Sequence, residues 1–392
     1  GWTAVAGVLM TSLVILDAGQ DESARTPADP SVGGPDAAAV LPSSRPSDES
    51  SAPHGDKRGA RAASPSGLPP SAGAEVRFDC APAMRPWTET DMEATRAEDE
   101  ALRARWLERL LPAEDPDLRL AAALLLDEQD PDRLELLWSA VEAGDERPLA
   151  LHRLLTTCLA QPASRRCTGD ELVSRAIAAD PHNGAMWVAA AAWRLSRNQP
   201  RAAREAMERA AAASTHREYF VDAVLAREQG LAATSELDYS ERVVFAIALE
   251  ATTPIPFTRL SRACDERAET DPLWRGTCAQ LGRSAARRAH TLLGRLLGLG
   301  LQWTAAKADG NASESAEISE KVSALSALTR DDRRTEAEIV LRYDDGVARA
   351  YVAEWRTRGE TAALSYIIRE VERLKRIPGY DPCRDKTSAR GQ

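Results

Sequence analysis

Lysine and histidine are scarce in this 392-residue chain, five of each, and aromatic residues make up only 5%. The recurrent catalytic signatures are missing: there is no GxSxG elbow, no P-loop, no HExxH and no GxGxxG after a strand. No CxxC or HxxxH pair occurs, so the six dispersed cysteines and five histidines offer little for a zinc site. No cofactor or metal site is expected, and no catalytic residue is assigned. A net charge of -10 argues against nucleic acid as a partner, because phosphate binding needs a clustered Lys/Arg face. The 45 arginines set against five lysines read as coding bias, not as a ligand signal.

What is present first is an uncharged stretch, Gly1 to Leu16 (GWTAVAGVLMTSLVIL). It is slightly shorter than the roughly 20 residues that span a bilayer core. It opens without methionine or a basic flank, and residues 1–19 are expected to be the tail of a longer membrane anchor or, alternatively, of a signal segment. From residue 20 to 77 the composition changes. Nine of the 23 prolines fall between Pro27 and Pro70, and no aromatic residue occurs between Trp2 and Phe78. Such a stretch buries too little apolar surface to offset its ordering entropy and predicts a disordered linker, a tether between membrane and folded domain.

The folded domain is expected over 78–392, all-α. Apolar residues recur with the helical period from Cys80 onward. Asp-Pro pairs at Asp115, Asp130, Asp180 and Asp271 read as an N-cap followed by proline in the first turn. Longer helices are expected over 215–229, 272–306 and 331–358. Asp344-Asp345-Gly346 reads as a turn or local break, and Leu292 to Trp303 (LLGRLLGLGLQW) as a stretch packed closely on another helix. Short turns between helices of 10 to 16 residues predict antiparallel hairpins.

Residues 184–214 resemble a tetratricopeptide helix pair. Trp187 stands at the first aromatic position, Ala190 and Ala191 at small positions, and Ala203, Met207 and Ala210 follow the small-large-small spacing of the second helix. Pro181 matches the proline that closes a preceding unit, although Arg153 and Thr156 stand there where apolar residues are expected. The resemblance implies an α-solenoid whose hairpins hold a protein or peptide. Clamps for carboxylate-ended peptides use Lys and Asn on the first helix of a unit; Val188 and Ala192 occupy those positions here, which disfavours such a clamp.

Cys264 and Cys278 lie seven residues either side of Asp271, and Cys158 and Cys167 flank Pro162. Residues equidistant from a hairpin turn face each other, which predicts Cys158–Cys167 and Cys264–Cys278, with Cys80–Cys383 joining the domain's ends. Disulfides imply an oxidising compartment, in agreement with the apolar start. His152 near these cysteines could form a nucleophilic pair only if the thiols were free. His182 reads as a loop residue and His290 as a packing residue in a helix. Three functions remain: a noncatalytic extracytoplasmic protein-binding scaffold tethered to a membrane, a sensory ectodomain, or a cell-envelope hydrolase. A deep cleft with two carboxylates of raised pKa would favour the last.

Overall fold

The computed structural model describes Phe78 and residues 89–143, 147–253, 255–329 and 333–383. Sixteen α-helices, and no strand, occur among these residues. They are α1 (Glu89–Leu110), α2 (Pro116–Leu125), α3 (Pro131–Glu142), α4 (Pro148–Ala160), α5 (Glu171–Ala179), α6 (Gly184–Ser196), α7 (Pro200–Ala212) and α8 (Phe220–Thr234). Then come α9 (Tyr239–Ala251), α10 (Phe257–Arg267), α11 (Pro272–Arg288), α12 (Leu292–Ala308), α13 (Ala312–Ala327), α14 (Arg333–Tyr343), α15 (Asp345–Arg358) and α16 (Glu360–Leu374). The expected apolar segment and linker lie outside the described residues. No described helix is long and apolar enough to cross a membrane.

Local chemistry sets most of the helix starts. The side chains of Asp115, Asp130 and Asp271 accept from the amides of Asp117 (2.8 Å), Asp132 (2.9 Å) and Leu273 (2.9 Å), each with proline in the first turn. Asp180-Pro181 behaves differently and opens no helix. The cap of α6 is Asn183, whose Oδ1 accepts from Ala185 N at 3.1 Å, while Asp180 turns its carboxylate to Asn183 Nδ2 and the Tyr219 hydroxyl.

Three long predicted helices are interrupted or shortened. The 272–306 stretch breaks at Ala289-His290-Thr291, so His290 sits in a connection and not in a helix. The 331–358 stretch breaks at Asp344, where a turn or local break is expected, and Asp344 caps α15 through Val347 N at 3.0 Å. Residues 215–219 are not helical, and α8 starts only at Phe220. In two of these places a tertiary partner supersedes the helical period: the 215–217 backbone bridges to Asn183 on one side and to Ala289 on the other.

The hairpins form two rows. In the first, α4/α5, α6/α7, α10/α11 and α12/α13 lie side by side, with α4 on α6, α6 on α10, α7 on α11 and α10 on α12. In the second, α2/α3 meets α8/α9 through α2 and α8, and α9 packs on α14 and α15. A strict solenoid lets each unit touch only its neighbours in the chain. Here α8/α9 leaves the first row, and α10/α11 closes against α6/α7 in its place.

Within α6 and α7, Ala190, Ala191, Ala203, Met207 and Ala210 are all buried. Trp187 is only partly buried and donates its indole N–H to Pro181 O at 2.9 Å; the fully enclosed indole of this hairpin is Trp193. Glycines of α11 and α12 permit a close crossing of these two helices. A Cβ on Gly282 of α11 would lie 2.7 Å from Gly298 O, so only hydrogen fits between these backbones.

Two disulfides clip the first row. Cys158–Cys167 ties the end of α4 to a 3-10 turn at Arg165–Cys167, with Cα atoms 5.4 Å apart. Cys264–Cys278 joins α10 to α11 across 6.1 Å. Cys383 is also disulfide-bonded; Cys80, the partner expected for it, lies outside the described residues. With four cysteines of two hairpins oxidised, His152 has no thiolate to activate, and the bonds mark a chain matured in an oxidising, extracytoplasmic environment.

Candidate functional site

The nonhelical segment between α7 and α8 carries the most unusual chemistry of the described residues. Gly184 N donates to Thr215 O at 2.8 Å, Thr215 N to His182 O at 3.2 Å, and His290 N to His216 O at 3.1 Å. Asn183 completes the clamp: its Oδ1 accepts from Arg217 N (2.8 Å) and its Nδ2 donates to Arg217 O (2.9 Å). Tyr219 comes next with φ 58°, ψ 16°, a left-handed backbone that strains a bulky residue by about 1–3 kcal/mol. Its hydroxyl donates to Asp180 Oδ2 at 2.6 Å, and its ring lies 4.9 Å from that of His152.

This clamp delivers Glu218 to the start of α12. Its Oε2 accepts from His290 N (3.0 Å) and Thr291 N (3.3 Å), and its Oε1 accepts from Thr291 Oγ1 (3.0 Å). Thr291 Oγ1 in turn accepts from Gly294 N at 2.9 Å. A Cβ on Gly294 would overlap Glu218 Oε1, so the carboxylate requires glycine there. A second carboxylate reaches the same turn from the other row. Glu360 Oε2 accepts from Leu292 N at 2.6 Å, while Glu360 N donates to His290 O at 2.7 Å. The approach is made by Gly359 at φ 87°, where a side chain would be strained and would meet His290 O at 3.0 Å. The amides of Thr291 and Leu292, open at the helix start, are thus satisfied by two glutamates distant in sequence, and Glu218 shares the His290 amide with His216 O.

Between the rows, beside this turn, lies a cavity of about 120 Å³. Its walls come from α4, α6, α10 and α12 of the first row and α8, α9, α14, α15 and α16 of the second. They are mainly apolar, with the stacked rings of Phe220 and Trp355 at 5.0 Å, and Phe257. Five charged side chains line it: Arg153, Glu218, Glu250, Arg334 and Glu360.

Two of them belong to a buried ionic cluster. Glu250 pairs through one oxygen with Arg153 and through the other with Arg227, and all three are 3% exposed or less. Arg227 Nε also donates to Leu124 O at 2.9 Å, and the neighbouring Arg133 to Leu126 O at 2.7 Å and Thr157 Oγ1 at 3.2 Å. These guanidiniums cap the last carbonyls of α2. Burial pulls Arg133 down to about 10, against the attraction of Glu128. Arg153 and Thr156, the two polar residues out of place in a tetratricopeptide pattern, are both buried in this region.

The remaining carboxylates are less compensated. Burial pushes Glu218 up to about 7 despite its amide and hydroxyl donors, and it raises Glu360 too, against the Leu292 amide and the positive charges of Arg334 and Arg295. The histidines move the other way. His216, fully buried with neither ring nitrogen hydrogen-bonded, is pushed down to about 4, first by burial and then by His290 and Arg288. Burial also holds His152 well below its ordinary value.

These shifts oppose each other in stability. Folded Glu218 keeps a proton that the unfolded chain releases, so its contribution is full below about pH 4.5 and is lost as pH rises through 7. His216 contributes fully above about pH 6.5 and loses its contribution as pH falls towards 4. Glu218→Gln removes the first effect only. The stability of wild type relative to this variant should therefore fall by about 2–3 kcal/mol between pH 4.5 and 7.5, and the variant alone should weaken steadily on acidification from pH 6.5. Denaturant titrations at four pH values give both slopes; a difference independent of pH would contradict the assignment of Glu218.

The fold and site define a class: an all-helical, disulfide-clipped domain with a partly open, largely apolar cavity between two rows of hairpins. Comparison with protein-family models, with curated proteins and with solved structures finds no match. No His/Cys/Asp/Glu group able to hold a metal occurs among the described residues. Sequence reasoning singled out the alanines and Met207 of α6/α7 and the paired cysteines, which belong to the packed core and do not line the cavity. It missed Glu218, Glu250, Glu360 and Trp355; of these only Glu250 carried a visible signal, a charge ending the apolar run VVFAIALEA.

Proposed function

We propose that this chain is a noncatalytic binding domain outside the cytosol, whose TPR-like hairpins enclose a pocket for part of a protein or peptide partner. The residue 1–19 segment would hold it at a membrane and 20–77 would space it from that surface. The observation that carries the reading is the cavity: mainly apolar walls with a few converging polar groups are the usual form of a ligand site. The two disulfides support the compartment, and the buried small residues of α6/α7 support the tetratricopeptide likeness.

The pair Glu218 and Glu360, both with raised pKa, favours a second reading, the cell-envelope hydrolase. Its geometry is less apt. A carboxylate pair that cleaves a glycosidic bond flanks it from two sides. Here both carboxylates accept from amides of one turn, Thr291 and Leu292, one residue apart. The oxidised chain, screened by thermal shift against peptides and cell-wall fragments, separates the two. A binding domain shows saturable stabilisation by a ligand that is recovered intact. A hydrolase releases product, and Glu218→Gln or Glu360→Gln abolishes that release.

A further inference from the structure

Glu218 and Glu360 stand in the cavity without a direct ion-pair partner, although the charges of Arg334 and Arg295 reach Glu360. Neither is ion-paired with a Lys or Arg among the described residues. Glu218 accepts three hydrogen bonds through two oxygens, and Glu360 accepts one, from Leu292 N, leaving its Oε1 unbonded. Arg334, on the same wall, is already engaged by Glu338 at 3.0 Å, and Arg153 by Glu250. A third acceptor is independent of this carboxylate pair: His152, only 4% exposed, lines the cavity from α4 and its Nδ1 has no hydrogen-bond partner.

The chemistry of the walls narrows the occupant. An anion is disfavoured, because the amides that open α12 are already taken by Glu218 and Glu360, and the oxygens left there are acceptors. A wholly apolar guest would leave both carboxylates further desolvated with no new partner. A metal ion lacks a coordinating group of three among the described residues. An ammonium group meets each requirement. It carries three donors, the unfilled acceptors number at least three, and the faces of Phe220 and Trp355 attract a cation. A cavity of about 120 Å³ is a little smaller than the ~150 Å³ apolar cavity that holds benzene, so it has room for a short alkyl chain behind the charge.

We infer that the cavity is a site for a primary alkylammonium group, with nitrogen between Glu218, Glu360 and His152 and its alkyl chain against Phe220, Phe257 and Trp355. The inference deepens the binding-domain reading and rests on it. The same group is found on free small amines and on the lysine side chain. The two sources differ outside the cavity: a lysine continues into a peptide backbone, and a free amine ends with its alkyl chain.

The test is calorimetric titration of the full, oxidised chain with n-pentylammonium, n-pentanol and hexanoate. The expected result is one saturable site for n-pentylammonium, at least 10-fold weaker for n-pentanol, with no heat from hexanoate. Glu360→Gln should weaken n-pentylammonium about 10-fold or more. His152→Phe, which keeps the ring contact with Tyr219, is a second variant should Glu360→Gln fail to fold, and it should weaken binding by a smaller factor. A lysine peptide compared with its norleucine counterpart resolves the source: preference for lysine over n-pentylammonium assigns a protein partner, and n-pentylammonium alone assigns a free amine. Equal binding of n-pentanol and n-pentylammonium, binding of hexanoate, no binding of any of the three, or an unchanged affinity in both variants overturns the inference. The binding-domain reading survives those results if a peptide from the thermal-shift screen still binds intact, and falls separately if none does.

Discussion

Glu250→Ala is expected to lower the unfolding free energy by about 3–5 kcal/mol, enough to leave a domain of ordinary stability largely unfolded. The magnitude comes from what the substitution strands. Three guanidiniums, Arg133, Arg153 and Arg227, are gathered in the core against only two carboxylates, Glu128 and Glu250. Glu250 serves two of them at once. Without it, Arg153 and Arg227 remain in the interior with no ion-pair partner, and Glu128 alone is left to balance three cations. Glu250→Gln should lose somewhat less, since an amide oxygen can still accept one of the two hydrogen bonds. Replacing the triad together, by Glu250→Met, Arg153→Met and Arg227→Met, should recover much of the loss, because a buried ion pair is rarely more stable than well-packed apolar side chains. The recovery would be incomplete, as Leu124 O at the end of α2 then lacks the donor that Arg227 supplies. Chemical denaturation of the three variants gives the order; a loss below 1 kcal/mol for Glu250→Ala would mean that the cluster is wet and not buried.

The second large effect is covalent. Replacing Cys264 and Cys278 by alanine opens a loop with a sequence separation of 14, for which chain entropy alone predicts a loss of about 3 kcal/mol. The Cys158–Cys167 loop, with a separation of 9, should give slightly less. Removing both is expected to remove roughly 5 kcal/mol in total. The two bonds lie in hairpins of the first row, so their loss should loosen α4–α7 and α10–α11 before the second row. Denaturation of the variant lacking all four cysteines against wild type measures the sum, since reductant also opens the Cys383 bond. A midpoint unmoved by reduction would show that the thiols are not bridged in the folded chain.

Helix identity, the caps at Asp115, Asp130 and Asp271 and the hairpin disulfides were readable because their causes are local. An aspartate two residues from the amide it caps, or cysteines flanking one turn, can be seen in a window of a dozen residues. The pocket could not be seen in this way. Glu218 acts on Thr291 across 73 residues, Glu360 on Leu292 across 68, and Arg227 on Leu124 across 103. These same contacts explain the helix boundaries that periodicity misplaced. Residues 272–306 carry an unbroken helical pattern, and the chain leaves it at Ala289-His290-Thr291 where Glu218 and Glu360 provide better partners for the amides than another turn would. The strain at Tyr219 and the open backbone at Gly359 hold those two glutamates in place and have no signature in composition. The out-of-order pairing of hairpins, with α8/α9 withdrawn from the first row, likewise depends on which faces meet and not on any one helix.

Hydrogen exchange on the oxidised chain, with and without a saturating stabilising ligand, tests the central claim that the space between the two rows is where this domain binds. Protection concentrated in 216–220, 290–297 and 355–360 is the predicted result, because the walls and the capped turn of α12 meet there. Protection confined to the outer faces of α6 and α7, with those three segments unchanged, would contradict it.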